Sequence, residues 1–280
     1  MIAAAPAGAP ARRSELRSVA MPSEHGGWGL TAEPALAGLI VAPSRAGACI
    51  ALAALVAFVA RTPLKVVAVD RRRHRTLPRT RLAARVAALE VTALIVLVVV
   101  AVQSAESPFW IVAALAAPLI ALEAWFEVRS RGRRLVPELA GSIAVAGVSA
   151  MIVLAGGQPL RLALAMWLVL AARCVTSIPW VRAQVARLHR DPTAAASPTF
   201  DLAAAALGVL AIAIDRRLLL GAGAAAMVIA VQHLWGRRPP PRPAVIGIRQ
   251  MLLGVGGHEI GEACLTDGSG HGHLLPGSQP

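Results

Sequence analysis

VAALEVTALIVLVVVAVQ, from Val86 to Gln103, is close to the ~20 mostly apolar residues that a helix needs to cross a ~30 Å hydrocarbon layer. Outward from it, similar runs recur at Gly29 to Val41, Gly47 to Ala60, Phe109 to Phe126, Glu138 to Ala155, Leu162 to Ser177, Phe200 to Ile214 and Leu218 to Trp235. The first two are short, but helices extend through their flanks, tilt, or let terminal arginines reach outward. Ala244 to about Gly257 offers a ninth run, although it contains Arg249 and ends in glycines. The pattern predicts an all-α fold, a polytopic transmembrane bundle of eight or nine helices.

Composition agrees. The chain of 280 residues is 56% hydrophobic and 15% charged, with a mean hydropathy of +0.63. An ordinary soluble domain is nearer ~45–50% apolar. The net charge of +13 would suggest nucleic acid in a soluble protein. Here the arginines fall between apolar runs, so the partner expected is the lipid bilayer and no nucleic acid. Cys49, Cys174 and Cys264 are too scattered to imply a disulfide framework or a zinc site. No compact apolar core follows Arg12, Arg13 and Arg17 directly, which argues against a cleaved signal peptide.

The segments between spans set the orientation. Every second one is basic: Arg61 to Arg81, Arg129 to Arg134, Arg182 to Arg190, and Arg237 to Arg242. The others hold little beyond Arg45, Glu106, Arg161 and the Asp215-Arg216-Arg217 turn. Positive charge marks the inner side, so a multi-pass membrane protein is expected, with its N-terminus and basic loops cytoplasmic. The domain reading is a cytoplasmic arm over residues 1–21, a transmembrane helical domain over 22–257, and a disordered Gly/His/Ser-rich tail over 258–280. Arg237-Arg238-Pro239-Pro240-Pro241-Arg242-Pro243 reads as a stiff linker.

Several groups are expected to bind a ligand because ionisable side chains at membrane depth are costly. Glu24, His25 and Trp28 stand at the mouth of the first span. They form either one wall of a polar site or an interfacial anchor, with Ser23 and Glu24 capping a helix and Trp28 in an aromatic belt. Arg61, Lys65, Asp70 and Arg71 follow the second span in a loop rich in the cations that hold phosphate, or that simply touch anionic lipid. Arg61 and Lys65 share a helix face if that span continues past Ala60, although Pro63 threatens to break it. Glu138 opens the fifth span, and Glu123 with Glu127 closes the fourth, positioned to pair with Arg129 to Arg134 as rim charges. Near the end of the sixth span, Arg173 either snorkels or faces a polar cavity, and Arg182 follows it. The histidines of the tail lack a metal-binding spacing, so no metal site is expected.

Together, Pro22-Ser23-Glu24-His25-Gly26-Gly27-Trp28 with Pro34, Arg61-Thr62-Pro63-Leu64-Lys65, Pro137-Glu138-Leu139, and Arg173 through Arg182 resemble the YwiC-like family of bacterial integral membrane proteins. The likeness runs from about Met21 to Gly254, with Ile246 to Gln250 similar to the start of that family's last helix. It implies a membrane protein and brings no activity with it, so whether the chain is an enzyme stays open. A looser likeness is to UbiA-type prenyltransferases, a nine-helix bundle with active-site loops after its second and sixth helices. Asp70-Arg71-Arg72-Arg73-His74-Arg75-Thr76-Leu77-Pro78 is similar to the end of that family's first motif. The paired aspartates that hold Mg²⁺ there are replaced by single ones, Asp70 and Asp191, so Mg²⁺ is implied only where a bound diphosphate supplies further ligands. The function expected is binding of an isoprenoid or other anionic-headed lipid in a cytoplasmic-side pocket. The alternatives are a small-solute or ion transporter and a non-catalytic membrane assembly protein. The residues leave the ligand and the oligomeric state open.

Overall fold

The computed structural model describes residues 20–250, except 22–24, 76, 130–133, 190, 192 and 243–244. Among these residues there is no β-strand. Eight α-helices follow one another: α1 (His25–Val41), α2 (Arg45–Arg72), α3 (Pro78–Ser104), α4 (Trp110–Val128), α5 (Leu135–Ala155), α6 (Leu160–His189), α7 (Pro198–Ile214) and α8 (Leu219–Gly236). Residues 245–250 are helical as well, where the ninth run begins; its continuation and the tail lie outside the described residues. Six of the helices are long and apolar enough to cross a membrane, and α7 is a shorter apolar helix. The all-α, multi-pass reading stands.

The helices are longer than the apolar runs that announced them. α2 does not stop at Ala60 but continues through Pro63 to Arg72, so Arg61, Lys65, Asp70 and Arg71 are helical and not in a loop. α6 likewise runs through Pro179 and carries Arg182 and Arg187. A proline removes one backbone hydrogen bond, but neighbouring helices can hold the chain helical on both sides of it. Apolarity marks where lipid ends; backbone hydrogen bonding marks where the helix ends.

The link between α2 and α3 shows how tightly such a helix is stopped. The Arg75 N–H donates to the Asp70 carbonyl at 2.9 Å and the His74 N–H to the Arg71 carbonyl at 3.0 Å, the paired bonds of a Schellman cap. His74 sits at φ 52° in the left-handed position that glycine usually fills. Pro78 then starts α3, where a missing N–H costs nothing.

The chain divides into two compact units, residues 1–163 and 164–280. In the first, α2 packs along α3, α4 along α5, and α5 against α1 and α2. Small residues allow the close approach. A Cβ on Gly38 would lie 2.8 Å from Ile152 Cβ, and one on Gly47 2.8 Å from Ile152 Cγ2. In a bilayer, where lipid is as apolar as leucine, such contact and not hydrophobic burial holds helices together. The outer faces match this setting: Leu89 on α3 is 72% exposed and Trp125 on α4 57%. The Glu106 N–H donates to the Ala155 carbonyl at 2.9 Å, tying the α3–α4 link to the end of α5.

The second unit contains most of α6, then α7, a 3-10 turn (Arg216–Leu218), α8 and residues 245–250. Asp215 caps the turn by accepting from the Arg217 N–H at 3.0 Å. Ala165, Val169 and Ala211 form a small apolar core, with Leu168, Ile214 and Leu218 packed on it.

Candidate functional site

Because α2 continues past Pro63, Arg61, Lys65, Val69 and Arg72 fall at helical spacing along one stripe. That stripe meets the end of α4. Arg61 binds Glu123 through Nη2 at 2.8 Å and Glu127 through Nε at 2.5 Å, and Lys65 Nζ reaches Glu127 at 2.9 Å. The carboxylates are largely shielded, at 19% and 12% exposure, while the cations are more open. Glu123 lies directly over Gly141 of α5, where a Cβ would collide with its carboxylate. The expected pairing of Glu123 and Glu127 with Arg129 to Arg134 falls largely on residues 130–133, which lie outside those described. Within the described residues both carboxylates meet α2, with Arg61 just beyond Ala60 and Lys65 one turn further along the continued helix.

One turn further along the stripe the polar surface opens. A cavity of about 330 Å³ is lined by Val69, Arg72, Arg73, Val128 and Arg129. A neighbouring one of about 410 Å³ shares Arg72, Val128 and Arg129 and adds Ala121, Ala124 and Trp125. The Arg129 guanidinium lies 3.8 Å from the centre of the Trp125 ring, a cation–π contact. Arg72 Nη1 donates to the Val128 carbonyl at 3.1 Å, engaging one of its five N–H donors. The cleft thus has arginines at its rim and an apolar wall below them. Arginine forks suit phosphate oxygens, and an indole with alanines suits the adjoining hydrocarbon.

The expected residues are distributed as follows. Glu24 and the side chain of His25 lie outside the described residues. Trp28 packs edge-on against Phe58 of α2, ring centres 5.1 Å apart, placing the start of α1 one turn from Arg61 on that helix. Arg71 is exposed near the end of α2, and Glu138 sits half-buried in the first turn of α5. Asp70 is 2% exposed. It accepts from the Thr80 hydroxyl at 2.6 Å and lies 3.4 Å from Arg79 Nη2, which makes it the joint of the α2–α3 hairpin.

Arg173 and Arg182 belong to the second unit. Arg173 does not snorkel: it is 8% exposed, and its Nη2 donates to the Gln250 carbonyl at 2.6 Å. Arg182 is exposed. Around Arg173 is a polar cluster that sequence reading missed. The Thr176 hydroxyl lies 2.5 Å from Asp201 Oδ1 and 3.2 Å from Gln232 Oε1, Gln232 Nε2 donates to Ser177 at 2.9 Å, and His233 Nε2 lies 3.0 Å from Asp201 Oδ2. The Trp180 indole N–H donates to the Gln232 carbonyl at 3.0 Å, and Arg249 stacks 4.9 Å from the centre of the Trp235 ring. The available signal was a polar residue near the end of an apolar run, Asp201 at the start of one and Gln232-His233 at the close of another.

Asp191 is occupied within its own loop. Its Oδ1 accepts from the Thr193 N–H at 2.9 Å and hydroxyl at 2.7 Å, and these bonds hold its carboxyl below the usual range. Among the described residues no group of three or more His, Cys, Asp or Glu side chains could hold a metal ion.

Fold and site together define a multi-pass helical membrane protein with an arginine-rimmed cleft at one end of its first unit. Residues 21–155 match the family model described as YwiC-like protein. The match ends at the last residue of α5, Ala155, so it covers α1 to α5 and both walls of the cleft. Arg173 to Arg182 and Ile246 to Gln250 lie beyond it. No curated protein and no solved structure matches the chain.

Proposed function

We propose that this YwiC-like chain binds an anionic-headed lipid, isoprenoid or other, in the cleft between the ends of α2 and α4. Arg72, Arg73 and Arg129 hold the head, and Trp125, Ala121 and Ala124 line the path of the chain. The observation that carries this reading is the union of guanidinium groups and an open apolar wall in one cavity. Arg71 adds to the local positive potential, while Arg61 and Lys65, balanced by Glu123 and Glu127, tie α2 to α4 beside the cleft and are not among its lining residues. The positive-inside rule supports placing this end at the cytoplasmic face of an inner membrane, where anionic lipid attracts basic side chains at ~1 kcal/mol each. Arg72, Arg73 and Arg129 answer the head-group charge.

The experiment is lipid extraction from protein purified in mild detergent after expression in a membrane of mixed composition. Enrichment of phosphatidylglycerol, cardiolipin or a prenyl phosphate over phosphatidylethanolamine supports the reading. Enrichment that persists in the triple variant Arg72→Gln, Arg73→Gln, Arg129→Gln, or that never appears in the wild type, sinks it.

A further inference from the structure

Glu90 takes no part in the cleft, yet it is an acid set within the apolar part of α3. Five residues before it stands Arg85; after it, α3 runs through Val91 to Val102 with Thr92 the sole polar side chain. Thr80, Ala83 and Ala87 are buried on α3, and continuing that three-and-four spacing reaches residue 90. The position belongs to the face that packs on α2, where an alanine would fit the pattern and a carboxyl is costly.

The Asp70–Thr80 hydrogen bond fixes the register of the two antiparallel helices. Ten residues back from Asp70 and ten on from Thr80 lead, at equal helical rise, to Ala60 and Glu90. Ala60 is 2% exposed. Beside it, Val59 has a carbonyl that would normally receive the N–H of residue 63, and Pro63 has none to give. Glu90 Oε2 is buried and has no hydrogen-bond partner. The level therefore holds a buried carboxyl oxygen in need of a neutral state, and a carbonyl without its helical donor.

We propose that Glu90 is a proton-binding site inside the membrane. Its carboxyl resides in the acid form between α2 and α3, with its O–H directed to a backbone carbonyl at the level of Val59. The nearest cations on α2, Arg61 and Lys65, are turned to Glu123 and Glu127 of α4. On α3 itself, Arg85 is displaced from Glu90 by about 7.5 Å along the axis and lies on another face. None of these replaces the proton as the counter-charge.

The test uses the full chain in liposomes and a hydrophobic carbodiimide, dicyclohexylcarbodiimide. Reaction requires the acid form: the carboxyl oxygen adds to the central carbon of the reagent, its proton passes to a reagent nitrogen, and nothing leaves. Peptide mass spectrometry should find the adduct on Glu90 at about pH 6, where an exposed carboxyl is already ionised. A water-soluble carbodiimide should leave Glu90 unmodified. Absence of the hydrophobic adduct, or equal modification by the soluble reagent, overturns the proposal. Glu90→Gln, which mimics the neutral acid, should fold with unchanged helix content and lose the adduct. Loss of folding in that variant would show that the charged form is structural and would equally overturn it.

Discussion

Arg61 and Glu127, sixty-six residues apart, meet at 2.5 Å through the guanidinium Nε and a carboxylate oxygen. The contact clamps α2 to α4, and the continuation of α2 through Pro63 brings Lys65 to the same carboxylate. Glu127 is mostly shielded and Arg61 about one-third open, so the pair falls between exposed and fully buried cases. Arg61→Ala or Glu127→Ala should each cost about 1–3 kcal/mol, and the double variant should cost less than the sum. Unfolding in mixed micelles, with the four species of the cycle compared, measures this. Additive losses would show the two side chains acting separately.

His74 occupies a left-handed backbone position at the end of α2. A side chain there costs about 1–2 kcal/mol, part of which glycine recovers after its own entropy loss. His74→Gly should therefore stabilise the α2–α3 hairpin by about 0.5 kcal/mol. Slower hydrogen exchange at Arg75 and Thr80 is the expected readout, and faster exchange would refute the assignment of the cap.

Gly141 and Gly223 should respond oppositely to alanine. A Cβ at Gly141 strikes the carboxylate of Glu123, which is held in place by Arg61, whereas Gly223 has nothing within 4 Å. Gly141→Ala should cost about 1–3 kcal/mol through overpacking, and Gly223→Ala should be neutral or stabilising by up to ~1 kcal/mol through helix propensity. Thermal unfolding of both variants in the same detergent separates them.

Thr176 joins α6 to Asp201 of α7 and Gln232 of α8. Thr176→Val keeps the shape and removes the donor, leaving the Asp201 carboxylate with one hydrogen bond fewer. A loss of about 1–3 kcal/mol is expected, and Thr176→Ser should recover most of it. Equal stability of the valine variant would show that water serves Asp201 as well as the hydroxyl does.

Much of this architecture is legible in the chain because a bilayer imposes a length and a polarity on every span. Val86 to Gln103 announces α3, and the four-residue spacing of Arg61 and Lys65 announces their common face. The ends are less legible. Pro63 and the arginines after it read as a loop, since sequence shows loss of apolarity and not the persistence of backbone hydrogen bonds. The Arg61 and Lys65 partners of Glu127 are illegible for a similar reason: sequence favours the nearby Arg129 to Arg134, and only helix packing brings α2 against the end of α4. Arg129 reads as a counter-ion in the sequence, and in the structure its guanidinium rests on Trp125, a neighbour one helical turn away. Glu90 stands in the run that decides the fold, where its apolar neighbours mask a single carboxyl within a good span.

The most direct test of the lipid-cleft account is a titration of purified protein with phosphatidylglycerol and phosphatidylcholine of equal chain length, followed by native mass spectrometry. At ~1 kcal/mol per basic side chain, Arg72 and Arg129 together should favour the anionic head by about 30-fold. That preference should collapse in Arg72→Gln/Arg129→Gln while helix content is retained. Equal binding of the two lipids by the wild type, or an undiminished preference in the double variant, would contradict it.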